Sequence, residues 1–469
     1  MNEKLKMMKK DWVERTLGEI AKIYNGNSIN KQLKEEKYKY CKTGLNYIGT
    51  KDVEVNGKIN YDTGVIIPNN ESKFKIAPKG CVLVCSEGGS AGKKTAFVET
   101  DICFGNKLYA ITNSSNNHFE GKYVYYYTRF YKFFNLFRNQ MNGIIGGVSQ
   151  RKFLIITIPL PPLVEQKAIV KKIEQLFSSL DSGIADLKKA QEQLKIYRQA
   201  VLKKAFEGGD KIEISKLVNN LNQGWSPKCI NKNSTDITQW AVIKTSAIQS
   251  GKFVEFENKI LPESLEPREQ HEIKKGDILI TRAGPRVRVG ICCLVKITRP
   301  KLINCDKVYR LELNQELVKA EYFEYVLNSP EALRDIEKMK SGSSDSGLNL
   351  TQKVFLKLLI PYFEIEKQTE IVRQIESRLS VCDKVEQDIT LAIERSRNLR
   401  QSILKKAFEG RLLSEAEISE CKQDAAYEPA SVLLEKIKAE TLRQAQGKKL
   451  EKTQNIASQK KKSTKKSKK

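Results

Sequence analysis

The sequence predicts an α+β chain of two related globular domains, each followed by a long helix, with the two helices pairing as a coiled coil. Three observations carry that prediction: a duplicated stretch of 51 residues, an apolar seam repeating every seven positions inside it, and short apolar strands mixed with helical stretches in the residues before each copy.

The duplication comes first because it organises everything else. Residues 158–208, IPLPPLVEQKAIVKKIEQLFSSLDSGIADLKKAQEQLKIYRQAVLKKAFEG, align without a gap to 360–410, IPYFEIEKQTEIVRQIESRLSVCDKVEQDITLAIERSRNLRQSILKKAFEG, at a constant offset of 202. Identity at 21 of the 51 positions is beyond chance. Each copy reads as one helix: proline punctuates the start (Pro159, Pro161 and Pro162; Pro361), glycine closes the end (Gly208; Gly410), and no proline interrupts the residues between. Stepping by seven gives Ile173, Leu180, Leu187, Leu194 and Val201 in the first copy, and Ile375, Cys382, Ile389, Ser396 and Ile403 in the second. Beside them run Leu176, Gly183, Ala190 and Tyr197, then Val385, Ala392 and Leu399. A narrow seam held for four heptads predicts a coiled coil, and two similar helices in one chain are natural partners. At 1.5 Å per residue each is about 60 Å long, a rod and not a core element.

The residues before each copy are also related. Lys79–Val84 (KGCVLV) parallels Lys275–Ile280 (KGDILI), and both run into glycine-containing turns, SEGGSAGK and TRAGPRVRVG. Asn106-Lys107-Leu108-Tyr109 parallels Asp306-Lys307-Val308-Tyr309. Strands are expected at Val82–Cys85, Lys107–Thr112, Asp277–Thr281 and Lys307–Leu313, and helical stretches near Lys122–Asn139 and Ala320–Met339. The expected layout is a globule at 1–157, a helix at 158–208, a globule at 209–359, a helix at 360–410, a helical tail at 411–445, and a disordered lysine-rich end at 446–469.

With 82 Lys+Arg against 56 Asp+Glu, the 469-residue chain carries a formal charge of +26. The end from 446 holds ten lysines and one glutamate, and the two globules carry most of the remaining excess, with 25 basic and 14 acidic groups in the first and 24 and 19 in the second. The helices between and after them are almost neutral. Positive charge on two globules and a tail fits surfaces that face phosphates; a merely solvated basic surface gives the same total. No apolar run reaches the length of a signal peptide or a membrane span, so a cytoplasmic protein is expected. The ten cysteines contain no C-x-x-C pair and read as buried free thiols.

The sequence offers no recognisable catalytic site. Gly88–Lys94 (GGSAGKK) is one residue short of a phosphate-binding loop and ends in lysine where the magnesium-binding hydroxyl belongs, so it reads as a turn. No G-x-G-x-x-G follows a strand, no Asn/Asp-Pro-Pro-aromatic tetrad of an amino-methyltransferase is present, and no P-D…(D/E)-x-K nuclease arrangement occurs. Two histidines, His118 and His271, are too few and too far apart for zinc ligation or a histidine general base.

Two variable globules, each followed by a near-identical helix ending in LKKAFEG, resemble the specificity subunit of type I restriction-modification enzymes. The openings VERTLGEIAKIYNGNSINK and ISKLVNNLNQGWSPKC look like the starts of that family's two target-recognition domains, and YEPASVLLEKIKAE looks like its tail. The resemblance covers about Asp11 to Glu440; the lysine-rich end from Lys448 lies outside it. It implies a non-catalytic subunit in which each domain reads one half of a bipartite double-stranded DNA target and an antiparallel pair of helices sets the unread spacer. It also implies docking of two modification subunits, which bind S-adenosylmethionine and methylate adenine, and of restriction motor-nuclease subunits that use ATP and magnesium. No cofactor is expected in this chain. The helices expected to dock those subunits are marked by Ile173, Leu180, Leu187, Leu194, Ile375, Ile389 and Ile403.

Base edges are read by forked donors, and phosphates by Lys, Arg, Ser and glycine-turn amides. In the first domain the candidates are Asn27, Ser28, Lys31, Ser90, Lys93, Lys94 and Gln150; in the second, Trp225, Ser226, Lys228, Arg282, Arg286 and Arg288. The cluster TRAGPRVRVG stands out, because three arginines around a Gly-Pro turn are costly to bury. Any one of them reads equally as a solvated turn, and Trp225 equally as core. Two competing functions remain at this level: a self-sufficient methyltransferase or nuclease with a diverged site, and a coiled-coil interaction protein that binds DNA without sequence preference.

Overall fold

The computed structural model describes residues 11–113, 119–142 and 146–436, together with Ala439. The first ten residues, His118 and the lysine-rich end lie outside the described residues. The chain forms two compact units, Met1–Ile184 with Ile393–Lys469, and Ala185–Ala392, so each long helix contributes one part to each unit.

In the first unit, an antiparallel sheet runs in the order Lys22–Asn25, Leu108–Thr112, Val82–Cys85, Thr95–Phe97. Val82–Cys85 is continuously apolar because both faces of this sheet are covered. Val82 and Val84 point into a core with Tyr109, Ile111, Tyr123 and Phe153, while Leu83 and Cys85 point to Ile48, Ala96, Phe104 and Ala110. The second face is covered by a sheet ordered Ile66–Ile67, Leu45–Ile48, Ile102–Phe104, Ile76–Ala77, whose central pair is parallel.

The second unit repeats the plan. Val218–Gln223, Val308–Leu313, Ile278–Thr281 and Cys292–Leu294 form the sheet. Ile278 and Ile280 face a helix-side core, and Leu279 faces a second core with Ala241, Leu302 and Ile303. All four expected strands are present, two starting one residue later at Leu108 and Val308 and one at Ile278.

Two helix boundaries differ from expectation. Each long helical stretch before a spacer helix is two helices: Gly121–Thr128 then Tyr131–Asn139, and Ala320–Leu327 then Pro330–Met339. In the second pair Pro330 cannot continue a helix but starts one well, and Ser329 caps it by accepting from Ala332 N–H at 3.3 Å. The spacer helices also start later than the repeat. Thr157–Leu160 and Leu359–Tyr362 are strands that pair antiparallel with Val13–Thr16 and Asp210–Glu213, closing each globule before its helix begins. Pro159 and Pro361 fit these two-stranded edges and would break a helix interior.

The spacer helices themselves are Leu163–Ala205 and Ile365–Phe408. In the first unit Arg400 pairs with Asp181 and lies 4.7 Å over the Phe177 ring, while Lys172, more than two turns earlier, meets Glu417 at 2.7 Å. In the second, Arg198 bridges Asp383 at 2.7 Å and Glu386 at 3.0 Å, and Gly209 beyond the first helix packs on Phe363 before the second. Each unit therefore holds an antiparallel helix pair. The heptad seam is used as expected at Ile173, Val201, Ile375, Cys382, Ile389 and Ile403, all buried, with Leu180, Leu187 and Leu194 half-buried. In the flanking set Leu176, Ala190 and Ala392 are half-buried, whereas Tyr197, Val385 and Leu399 are exposed, because a two-helix pair covers only one narrow stripe of each helix.

The helix Glu415–Gln423 begins with a capping box between Ser414 and Glu417, and Leu413, Leu433 and Leu434 bury the tail against the first unit's core. All ten cysteines are free, eight of them buried. Among the described residues no helix is long and apolar enough to cross a membrane, and no three His, Cys, Asp or Glu side chains form a metal site.

Candidate nucleic-acid interface

In the first unit, four strands end at one rim: Lys22–Asn25, Leu45–Ile48, Val82–Cys85 and Ile102–Phe104. Main-chain bonds stitch the loops that follow. Asn27 N–H donates to Phe104 O at 2.9 Å, Gly105 N–H to Ile48 O at 2.9 Å, and Ser86 N–H to Lys107 O at 2.9 Å. The turn after Val82–Cys85 is held to the loop before Gln150, through Gly88 N–H to Gly146 O at 2.8 Å. Gly26 is required by the approach: a Cβ there would lie 1.9 Å from Phe104 O.

Six of the seven candidates of the first domain lie in or beside these loops, with different freedom, and Lys31 follows in the helical turn Lys31–Leu33. The Asn27 carboxamide is occupied, donating to Lys73 O at 3.1 Å and accepting from Lys75 N–H at 2.8 Å. Lys94 Nζ donates to Thr50 O at 3.0 Å, and Gln150 Nε2 to Ile23 O at 2.6 Å. These three build the rim. Ser28, Lys31 and Lys93 are exposed, and Ser90 is half-buried in the turn, where its carbonyl accepts from Lys93 N–H at 3.0 Å. Sequence reasoning missed Lys75, whose Nζ donates to Asn25 O at 2.9 Å, and Lys107, paired with Glu87 at 3.4 Å. The lysine of the repeated Asn/Asp-Lys-x-Tyr phrase was a signal for the second.

The second unit builds its rim from the same parts. Gly224 takes the place of Gly26: a Cβ on it would lie 2.0 Å from Asn304 O. The strand pair Ala283–Gly284 with Leu348–Asn349 ties the turn at 285–291 to the loop at 341–347, as Gly88 and Gly146 tie the equivalent loops in the first unit. Trp225 is half-buried against the second core, with the Arg268 guanidinium 4.6 Å over its ring. The core reading of Trp225 is therefore met in part. Ser226 Oγ donates to Asp306 and accepts from Asp306 N–H at 3.1 Å, and Lys228 is exposed.

The three arginines divide. Arg282 is half-buried, its Nε bonded to Asp306 O at 2.8 Å and its guanidinium 5.7 Å over Tyr309, so it braces the turn. Arg288 is half-buried, and its carbonyl accepts from Thr281. Arg286 projects, about half exposed, with Nε on Asp345 at 2.9 Å and Nη1 on Glu337. Those two carboxylates hold the guanidinium protonated and fix the plane in which it is presented. Asp345 sits in SGSSDSG, a loop that sequence reasoning passed over.

Of the seven helix positions expected to mark subunit docking, Ile173, Ile375, Ile389 and Ile403 are buried within the chain itself, and Leu180, Leu187 and Leu194 are half-buried. Apolar residues left uncovered on the helices in the second unit are Ile196, Tyr197, Val381, Val385 and Leu391.

Residues 9–190 match the family model described as type I restriction modification DNA specificity domain. The chain is 28% identical over 460 residues to the EcoKI specificity subunit of Escherichia coli K12, covering 92% of this chain and 95% of that one. It is 36% identical over 203 residues to the EcoEI specificity subunit of Escherichia coli, covering 43% of this chain and 34% of that subunit. A chain from a solved structure of a type I R-M system superposes with a TM-score of 0.65 at 18% identity, covering 86% of this chain and 99% of that one, and so has the same fold.

Proposed function

We propose that this chain is a DNA specificity subunit of a type I restriction-modification enzyme and that each rim reads one half of a bipartite double-stranded DNA target. The observation that carries this reading is a scaffold built twice with different chemistry upon it. The glycine approach, the paired loops and the Lys-x-Tyr strand recur, whereas the projecting groups are Ser28, Lys31 and Lys93 on one rim and Lys228 and Arg286 on the other. Repeated framework fixes how a module meets a groove, and different side chains give the two modules different half-sites.

The spacer helices set the unread distance between halves. The exposed apolar residues Ile196, Tyr197, Val381 and Val385 are offered to modification subunits, two per complex, with restriction subunits joining them. Methylation with S-adenosylmethionine and ATP- and magnesium-dependent cleavage belong to those partners, and this subunit works in the cytoplasm without a catalytic centre of its own.

Arg286→Ala tests the reading. Binding by the assembled complex should weaken at the second half-site alone, by about 1–3 kcal/mol if Arg286 reads a base. Equal loss on unrelated duplexes would reassign it to phosphate contact, and loss of target binding to an excess of random competitor DNA would favour an interaction protein without sequence preference.

A further inference from the structure

The two spacer helices begin with the same buried carboxamide. Gln166 and Gln368, related by the repeat, are both fully buried. Gln166 Oε1 accepts from Glu120 N–H at 2.9 Å, and its Nε2 donates to Pro161 O at 2.9 Å. Gln368 Oε1 accepts from Lys319 N–H at 2.9 Å, and its Nε2 donates to Phe363 O at 2.7 Å and Leu317 O at 2.8 Å. Glu120 and Lys319 are the residues that open the helices Gly121–Thr128 and Ala320–Leu327. In each unit, then, one amide sews the start of a spacer helix to the start of a globule helix.

A tyrosine completes each joint. Tyr123 OH donates to Pro159 O at 2.8 Å, and Tyr322 OH to Pro361 O at 2.9 Å, so each globule helix also holds the strand that leads into its spacer helix. The same rings pack edge-on against the phenylalanine at the end of a spacer helix or just past it: Tyr123 on Phe408 at 5.1 Å in the first unit, Tyr322 on Phe206 at 5.5 Å in the second. The LKKAFEG phrase thus ends on the joint, which explains why both copies keep it. The neighbouring position shows what is free to change: Glu165 is buried and accepts from Trp12 Nε1 at 2.8 Å, whereas its counterpart Lys367 lies on the surface beside Glu370 at 2.8 Å.

We propose that Gln166 with Tyr123, and Gln368 with Tyr322, are positioning residues that fix the tilt of each globule on its helix pair and so set how strictly the protein measures the spacer in its DNA. This rests on the bipartite reading above. None of the four belongs to a rim; they act on DNA only through the orientation of the module. Hydrogen bonds are directional, and breaking one here leaves a buried N–H or C=O unmatched, so the joint has one strongly preferred geometry. One base pair of added spacer displaces a half-site by about 3.4 Å and about a tenth of a turn, a change that a rigid joint rejects and a loosened one absorbs.

The test uses the full chain assembled with its modification subunits, and duplexes carrying the motif identified from the host methylome. The native spacer is compared with spacers one base pair shorter and longer, and with a duplex holding the first half-site alone. Tyr123→Phe removes one hydroxyl and keeps the ring on Phe408; Gln166→Leu removes the carboxamide. Each should lower the preference for the native spacer by about threefold or more, within reach of one lost hydrogen bond, while half-site binding stays within about twofold of wild type. Because Tyr123→Phe preserves packing, it keeps the test valid if Gln166→Leu fails to fold. Unchanged spacer preference in Tyr123→Phe, or loss of half-site binding in step with it, overturns the joint's role alone. Wild-type indifference to spacer length overturns the bipartite reading and the joint's role with it.

Discussion

A buried Glu165 carboxylate illustrates how single residues hold this chain together. It accepts from Trp12 Nε1 at 2.8 Å and from Tyr427 OH at 3.4 Å, joining the amino-terminal segment, the first spacer helix and the tail. Trp12→Phe removes the shorter bond and leaves a buried carboxyl oxygen without that donor, so it should cost about 1–3 kcal/mol, read as a shift in urea midpoint at unchanged slope. At the rims, the reach of sequence reasoning followed sequence separation. The turn at Arg286 declared itself through local composition. The structural duties of Asn27 and Gln150 did not, because their partners lie 46 to 127 residues away. A carboxamide that could read adenine looks the same in sequence as one spent on a distant main chain.

Helices give the sharpest contrast between seam and surface. Ile375 is 1% exposed and Val385 is 41% exposed, although both are apolar and ten residues apart on one helix. Ile375→Ala should destabilise the chain by about 2–5 kcal/mol, and Val385→Ala by less than about 0.5 kcal/mol, as measured by denaturant unfolding. Binding of the modification subunits should respond in the opposite order. The seam was legible because its period of seven survives in sequence; the flanking set was not, because an apolar residue beside a seam is equally compatible with a wider buried face. The helix Glu415–Gln423 carries a pH signature. Lys172 and the Ser414 cap hold Glu417 well below the usual carboxylate range, to about 2. A depressed carboxyl stabilises the folded state fully above its unfolded value near 4.5 and loses that contribution as pH falls toward 2. Tail docking should therefore persist from neutral pH to about 4.5 and weaken below it, and Glu417→Gln should flatten that acid limb, followed by limited proteolysis of the tail.

At the scale of the whole molecule, duplication was the most legible feature of the sequence. A constant offset of 202 gave the order of globules and helices directly, and the structure added that each globule closes with a strand before its helix starts. Charge placement pointed to polyanion-binding globules, but local composition did not show that loops from four separate strands meet on one rim, since that depends on a parallel pairing of Leu45–Ile48 with Ile102–Phe104. The central claim is that this one chain specifies one two-part DNA sequence. Methylome sequencing of the host with and without this gene tests it most directly: loss of a single bipartite adenine-methylation motif is the predicted result, and an unchanged methylome in a host whose modification subunits are expressed would contradict it.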